Sequence, residues 1–178
     1  MEYGTPAKLQ DGRYFLRIVQ SNGGGRVLKQ INSAEVQEAN CFKVPITLQE
    51  YDDDILSQAE KSSEEWFGKK IDMESLKKAY DSSVTTGILE APFARRNSTI
   101  ATKVFGCDRK EMSTDVLVPG TRCDILVELT GLWFLKKSFG PVWRVIQVRL
   151  KKESTFPSRY MFSDDGGDDD DDQEEYYV

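Results

Sequence analysis

Between Trp133 and Tyr160 the chain carries seven basic side chains, Lys136, Lys137, Arg144, Arg149, Lys151, Lys152 and Arg159, against the single acid Glu153. Six aromatic residues are interleaved with them: Trp133, Phe134, Phe139, Trp143, Phe156 and Tyr160. An aromatic face stacks any unpaired base, at about 1–3 kcal/mol per base, while lysine and arginine follow the phosphates and release counterions. Together these types supply the chemistry for holding a single-stranded nucleic acid. The competing explanation is packing, because aromatics at alternate strand positions more often belong to a core than to a platform.

The end of the chain has the opposite character. Asp164 to Val178 reads DDGGDDDDDQEEYYV, with nine carboxylates and no base. Such a run cannot bury enough apolar surface to fold and is expected to be a solvated tail. The whole chain has 24 Lys+Arg against 30 Asp+Glu; without the nine tail acids, 24 bases face 21 acids. A basic, aromatic surface beside a tethered polyanion points to a nucleic-acid groove with a built-in competitor.

Composition narrows the chemistry further. The chain has no histidine, which excludes Ser-His-Asp and Cys-His nucleophiles, HExxH metal sites and imidazole bases. The glycines of SNGGGR lack the GxxxxGK[ST] spacing that cradles phosphate, and an enzyme is the less favoured class. Asp52, Asp53, Asp54 and Asp72 are the carboxylates a magnesium-dependent nuclease would use, but helix-start capping explains them more simply. No cofactor and no metal is expected. Cys41, Cys107 and Cys123 stand far apart with no CxxC pair, which fits buried thiols in a reducing compartment. Without a long apolar run or an apolar leader, the expectation is a soluble intracellular protein with no membrane partner.

Periodicity supplies the elements that would carry these residues. Arg13–Gln20 is strand-like, SNGGG reads as a hairpin turn, and Arg26–Ile31 is expected to pair back on it. Cys41–Leu48 is a third strand, with Pro45 marking an edge or bulge. A helical insert at about 51–83 follows. Asp52–Asp54 start one helix, whose stripe Ile55, Leu56, Ala59, Ser63 and Trp66 ends at Gly68; Asp72 caps a second, with Met73, Leu76, Lys77 and Tyr80 on one face. Ser98–Phe105 alternates, Pro119–Gly120 turns the chain, and Arg122–Leu135 is a long strand with a bend at Gly131. Lys136–Gly140 is a loop before the strand Val142–Lys151, whose set Val142, Arg144, Ile146 and Val148 looks buried while Trp143, Val145, Gln147 and Arg149 look free to meet a ligand.

The expected fold is mainly β with a helical insert: a five- to six-stranded, OB-fold-like barrel over residues 1–163, capped by helices, then the disordered acidic tail 164–178. A two-layer α+β sheet is the alternative.

Two stretches add a resemblance. Ser62-Ser63-Glu64-Glu65-Trp66-Phe67-Gly68-Lys69-Lys70 with the following LKKAYDSS, and Gly131-Leu132-Trp133-Phe134 with the stretch from Lys137 to Val148, resemble a family of small proteins from large DNA viruses of algae and protists. That family is similar to the single-stranded DNA-binding proteins of short-tailed phages, which carry an OB-fold and an acidic C-terminal tail. The resemblance implies sequence-independent single-stranded DNA binding in viral DNA replication, recombination or repair, in the host nucleus or cytoplasm, without catalysis. It implies that the tail docks a viral DNA polymerase, primase or helicase, and it leaves a homodimer open. The phage tails end on phenylalanine, whereas this chain ends Tyr176-Tyr177-Val178.

On this reading Trp143, Phe139 and Trp133 stack bases. Lys136, Lys137, Arg144, Arg149, Lys151, Lys103, Arg95 and Arg96 meet phosphates, and Lys69 and Lys70, after Gly68, are solvated or join them. Trp133 continues the apolar parity of Ile125, Val127 and Leu129, and Trp66 and Phe67 are expected to pack the helix end. Asp168, Asp169, Asp170, Asp171, Asp172, Glu174, Glu175, Tyr176 and Tyr177 form the partner-binding tail. An acidic-tailed chaperone or DNA mimic that binds basic partners is the alternative function.

Overall fold

The computed structural model describes residues 1–37, 41–44 and 48–151; Pro45, Lys152, Phe156, Arg159, Tyr160 and the acidic tail lie outside the described residues. The elements in chain order are β1 (Glu2–Tyr3), β2 (Ala7–Lys8), β3 (Tyr14–Val19), β4 (Val27–Val36) and β5 (Cys41–Lys43), followed by the helices α1 (Gln49–Lys61), α2 (Ser63–Phe67) and α3 (Met73–Ala79). The remaining strands are β6 (Val84–Thr85), β7 (Ile88–Glu90), β8 (Arg95–Arg96), β9 (Thr99–Ile100), β10 (Lys103–Phe105), β11 (Glu111–Met112), β12 (Arg122–Phe134) and β13 (Phe139–Leu150). The architecture is mainly β.

The antiparallel hairpin β12–β13 is the spine. Its length decides how the glycine-rich segment is used. Arg17 pairs with Gly131 and Val27 with Leu129, so β3 and β4 lie end to end along the same edge of β12. The expected hairpin between them does not form. Residues 20–25 instead leave the sheet as a short excursion, pinched by the Gln20 amide donating to the Gly25 carbonyl at 2.9 Å and allowed by Gly23 and Gly24 at φ 96° and 70°. Local glycine content cannot distinguish a reversal from an excursion; a single partner strand of 13 residues, long enough to span both segments, does.

From β12 the sheet runs through β4 and β5 to β7, and β13 lies on the other side. Three residues after β7, Phe93 bridges Val145 in parallel; the Ala94 amide donates to the Val145 carbonyl and the Val145 amide to the Pro92 carbonyl, both at 3.0 Å. β10 continues that parallel contact with β13. The sheet thus curls back on itself without closing as a continuous ladder, an OB-like, partly open arrangement. The three helices lie between β5 and β6, directly after the short strand Cys41–Lys43 that stands where the expected third strand Cys41–Leu48 begins.

The expected single helix from Asp52–Asp54 to Gly68 instead begins at Gln49, with no side-chain cap, and breaks at Ser62 into α1 and α2, whereas its buried stripe, its stop and the next cap are as expected. Ile55, Leu56, Ala59 and Trp66 are buried, Gly68 ends α2 in the left-handed region at φ 72°, and the Asp72 carboxylate accepts from the Ser75 amide at 2.9 Å. Trp66 and Phe67 join Tyr3, Phe134 and Phe139 in an aromatic cluster under α2, with ring centroids 5.2–6.4 Å apart. Among the described residues no helix is long and apolar enough to cross a membrane.

Candidate nucleic-acid interface

Two β-bulges determine which side chains the spine presents outward. Leu129 opposes Trp143 while Gly131 opposes Val142, so Thr130 is an extra residue in β12; Leu126 opposes Gln147 while Val127 opposes Val145, so Ile146 is an extra residue in β13. Side chains alternate faces along a strand, and one inserted residue reverses the alternation. Before Thr130 the inward set is Cys123, Ile125, Val127 and Leu129; after it, Leu132 and Phe134 point inward and Trp133 outward. Before Ile146, Trp143 and Val145 point inward; after it, Val148 does, and Gln147 and Arg149 face solvent.

This corrects two of the three expected stacking residues. Trp143 is 2% exposed and meets Tyr51 edge-on at 5.1 Å; Phe139 is 1% exposed and lies parallel to Phe134 at 6.0 Å. Both are core, because the parity that held for Gln147 and Arg149 does not extend back past the bulge. Arg144, placed with the buried set by the same extrapolation, faces outward.

Outward cross-strand pairs then form one continuous row. Trp133 opposes Gly140, Gly131 opposes Val142 and Glu128 opposes Arg144. On the neighbouring strand Phe15 opposes Trp133 and Arg17 opposes Gly131. The two glycines are required here. A Cβ at Gly131 would lie 2.0 Å from the Leu16 carbonyl oxygen and 2.5 Å from the Phe15 ring; one at Gly140 would lie 2.3 Å from the Asp81 carbonyl oxygen and 3.0 Å from the Trp133 ring. Phe15 and Trp133 therefore lie down on bare backbone, half-exposed, beside each other.

A groove of about 440 Å³ runs along this face, lined by Phe15, Arg17, Arg26, Phe93, Arg95 and Arg144, with Glu128 as its single carboxylate among the described residues. Glu128 is buried and accepts from Arg144 at 2.8–2.9 Å; the Arg26 guanidinium stands 3.8 Å away. Arg17 has no carboxylate partner among the described residues, and Arg95 donates to the Ser98 carbonyl at 3.1 Å in the turn between β8 and β9. Four guanidinium groups thus face one carboxylate beside the half-exposed rings of Phe15 and Phe93, while Trp133 lines an adjoining hollow with Asp81 and Glu90. Arg96 is exposed on the same β8–β9 hairpin. Phe15 and Arg17 were visible in the sequence as one parity of Arg13–Gln20. Arg26 and Phe93 carried no local signal, since the excursion and the bridge to β13 bring them in.

The other expected cations are distributed elsewhere. Arg149 and Lys151 share Asp124 at 2.6 and 3.3 Å, and Lys103 pairs with Glu111 at 2.5 Å. Burial alone would raise the Asp124 carboxyl, but hydrogen bonds from Arg149, the Ser33 amide and Lys151 outweigh it and hold the group below its ordinary value. Lys69, Lys136 and Lys137 converge on a second cleft at the β12–β13 turn, and Phe139 contributes to its floor; Lys70 is exposed next to it. The clustered acids are structural. Asp52 accepts from Tyr80 and Ser82 at 2.6 and 2.7 Å, Asp53 from Gln49 at 2.8 Å and Asp54 from Tyr3 at 2.8 Å. Among the described residues no three metal-ligating side chains come together.

A family model described as a family of unknown function (DUF5871) matches residues 27–164. No curated protein matches the chain. One solved structure, a single-stranded DNA-binding protein from bacteriophage Enc34 in complex with ssDNA, is similar at a TM-score of 0.44 and 12% identity, over 86% of this chain and 97% of that one.

Proposed function

The chain belongs to that family of unknown function, and we propose that it binds single-stranded DNA without sequence preference along the outer face of β3, β12 and β13. The observation that carries the reading is the groove itself: four arginines against one carboxylate, with the half-exposed rings of Phe15 and Phe93 in its lining. Guanidinium groups follow phosphates and stack on bases, half-exposed rings stack bases, and neither reads sequence. Duplex DNA hides the base faces that the rings need.

In this reading residues 1–163 are the binding domain, with the helical insert at about 51–83, and 164–178 are an acidic tail. Nine tethered carboxylates compete with DNA for the arginines and, once displaced, present Asp168–Asp172, Glu174, Glu175, Tyr176 and Tyr177 to a replication partner such as a viral polymerase, primase or helicase. The role is non-catalytic, in replication, recombination or repair.

Titration of labelled single- and double-stranded oligonucleotides into the full chain and into residues 1–163 tests this. The reading expects preference for single strands, tighter binding by residues 1–163, and loss of binding in Arg17→Glu/Arg95→Glu. Equal affinity for duplex refutes it.

A further inference from the structure

A second cleft is larger than the arginine groove. It opens beside the β12–β13 turn with a volume of about 730 Å³, within the range of about 300–1,000 Å³ typical of small-molecule sites. Its floor is aromatic and apolar, formed by Trp66, Phe67, Leu76 and Phe134, and Tyr14 and Leu135, 47% and 58% exposed, stand at its mouth. Lys69, Lys136 and Lys137 line it together with Arg13, which is already paired with the Asp11 carboxylate at 2.6 Å; among the described residues the lining itself includes no carboxylate. An apolar, ring-lined hollow with three ammonium groups that have no carboxylate partner among the described residues fits a ligand that is aromatic in its body and anionic at one end.

The register places this cleft at the end of the DNA face, on the opposite side of the sheet, where a strand reaches it only by passing over the β12–β13 turn. Tyr14 opposes Phe134 and Phe15 opposes Trp133 in successive cross-strand pairs. Successive strand residues point to opposite faces, about 3.3 Å apart along the strand. One pair therefore lines the cleft and the next lies on the outer face. A strand laid across Trp133 meets the β12–β13 turn, with Lys136 and Lys137, immediately beyond it.

Resting on the single-strand reading, we propose that this cleft is a nucleotide subsite that takes the terminal nucleotide of the bound strand. Its base enters between Tyr14 and Phe67, and its phosphate meets Lys69, Lys136 and Lys137. The arginine groove then holds the interior of the strand and the lysine cleft its end. The two kinds of contact separate experimentally, because a mononucleotide can fill the cleft but cannot span the groove.

Calorimetric titration of the full chain with deoxyadenosine monophosphate, deoxyadenosine and inorganic phosphate tests the proposal. The monophosphate should bind at least tenfold more tightly than either fragment. Lys136→Glu/Lys137→Glu, both in an exposed turn, should weaken it at least tenfold. Arg17→Glu/Arg95→Glu should leave the mononucleotide within twofold of the parent while it abolishes oligonucleotide binding. Absent monophosphate binding, or binding indifferent to the lysine double variant, overturns the cleft assignment while oligonucleotide binding stands on its own. Binding of the monophosphate without any oligonucleotide binding would refute the single-strand reading, and with it the terminal-nucleotide role of the cleft. A synthetic peptide of residues 168–178 that binds the cleft at least tenfold more tightly than the monophosphate would make it a peptide site and overturn the proposal.

Discussion

Glu128 is the one carboxylate in the arginine groove, and replacing it with glutamine should make the protein a better DNA binder. Its carboxylate is buried, hydrogen-bonds Arg144 at 2.8–2.9 Å and also attracts Arg26 from 3.8 Å; Arg144 is the arginine held in place, while Arg17, Arg95 and the largely exposed Arg26 remain for phosphates. Each phosphate neutralised on a single strand contributes about −0.7 to the slope of log affinity against log salt. Three contacts give a slope of about −2, or roughly a 20-fold loss of affinity for a fourfold rise in salt. Glu128→Gln keeps the side-chain shape, frees Arg144 for a fourth phosphate and should steepen the slope by about 0.7; Arg17→Ala should flatten it by the same amount. The assay is fluorescence anisotropy of a labelled oligothymidylate over a salt series, with thermal midpoints as a check on folding. Differences between variants carry the argument, because the tail is common to all of them. A Glu128→Gln slope equal to or flatter than the parent's would mean that Arg144 does not meet phosphate and the groove is misassigned.

Trp133→Ala should cost about 1–3 kcal/mol of binding with little change in thermal stability, since the ring lies on the outer face. Trp143→Ala should do the reverse, losing about 3–5 kcal/mol of stability with unchanged affinity per folded molecule, as denaturant titration and binding on the same samples would show. The depressed Asp124 carboxyl stabilises the fold above its unfolded value of about 3.9, and that contribution is lost as pH falls through the lower folded value; the stability gap between the parent and Asp124→Asn should be constant above about pH 5 and close below about pH 4. Burial, and then Asp124, push the Cys123 thiol up to about 12, so a thiol reagent at neutral pH should modify exposed Cys107 quickly and Cys123 only on unfolding, as timed peptide mapping would show.

Much of this molecule was legible before it folded. The stripe Ile55, Leu56, Ala59 and Trp66, the Gly68 stop and the Asp72 cap are local matters of 3.6-residue spacing and capping, and the structure reproduces them. The turn at Gly120, at φ 89°, and the irregularity at Gly131 were also marked by residue type. The inward and outward sides of the spine were not. Alternation extrapolated along Val142–Lys151 exposes Trp143 and buries Arg144, and the single extra residue Ile146 inverts both assignments. A bulge has no reliable signature in an apolar run, because it depends on how two strands settle against each other. The same holds for the SNGGG excursion, which only the length of β12 distinguishes from a hairpin. Composition alone placed aromatic and basic residues together in this chain; which of them reach solvent on one face, and which acids already occupy their charges, depends on long-range register, and only the tertiary structure decides that.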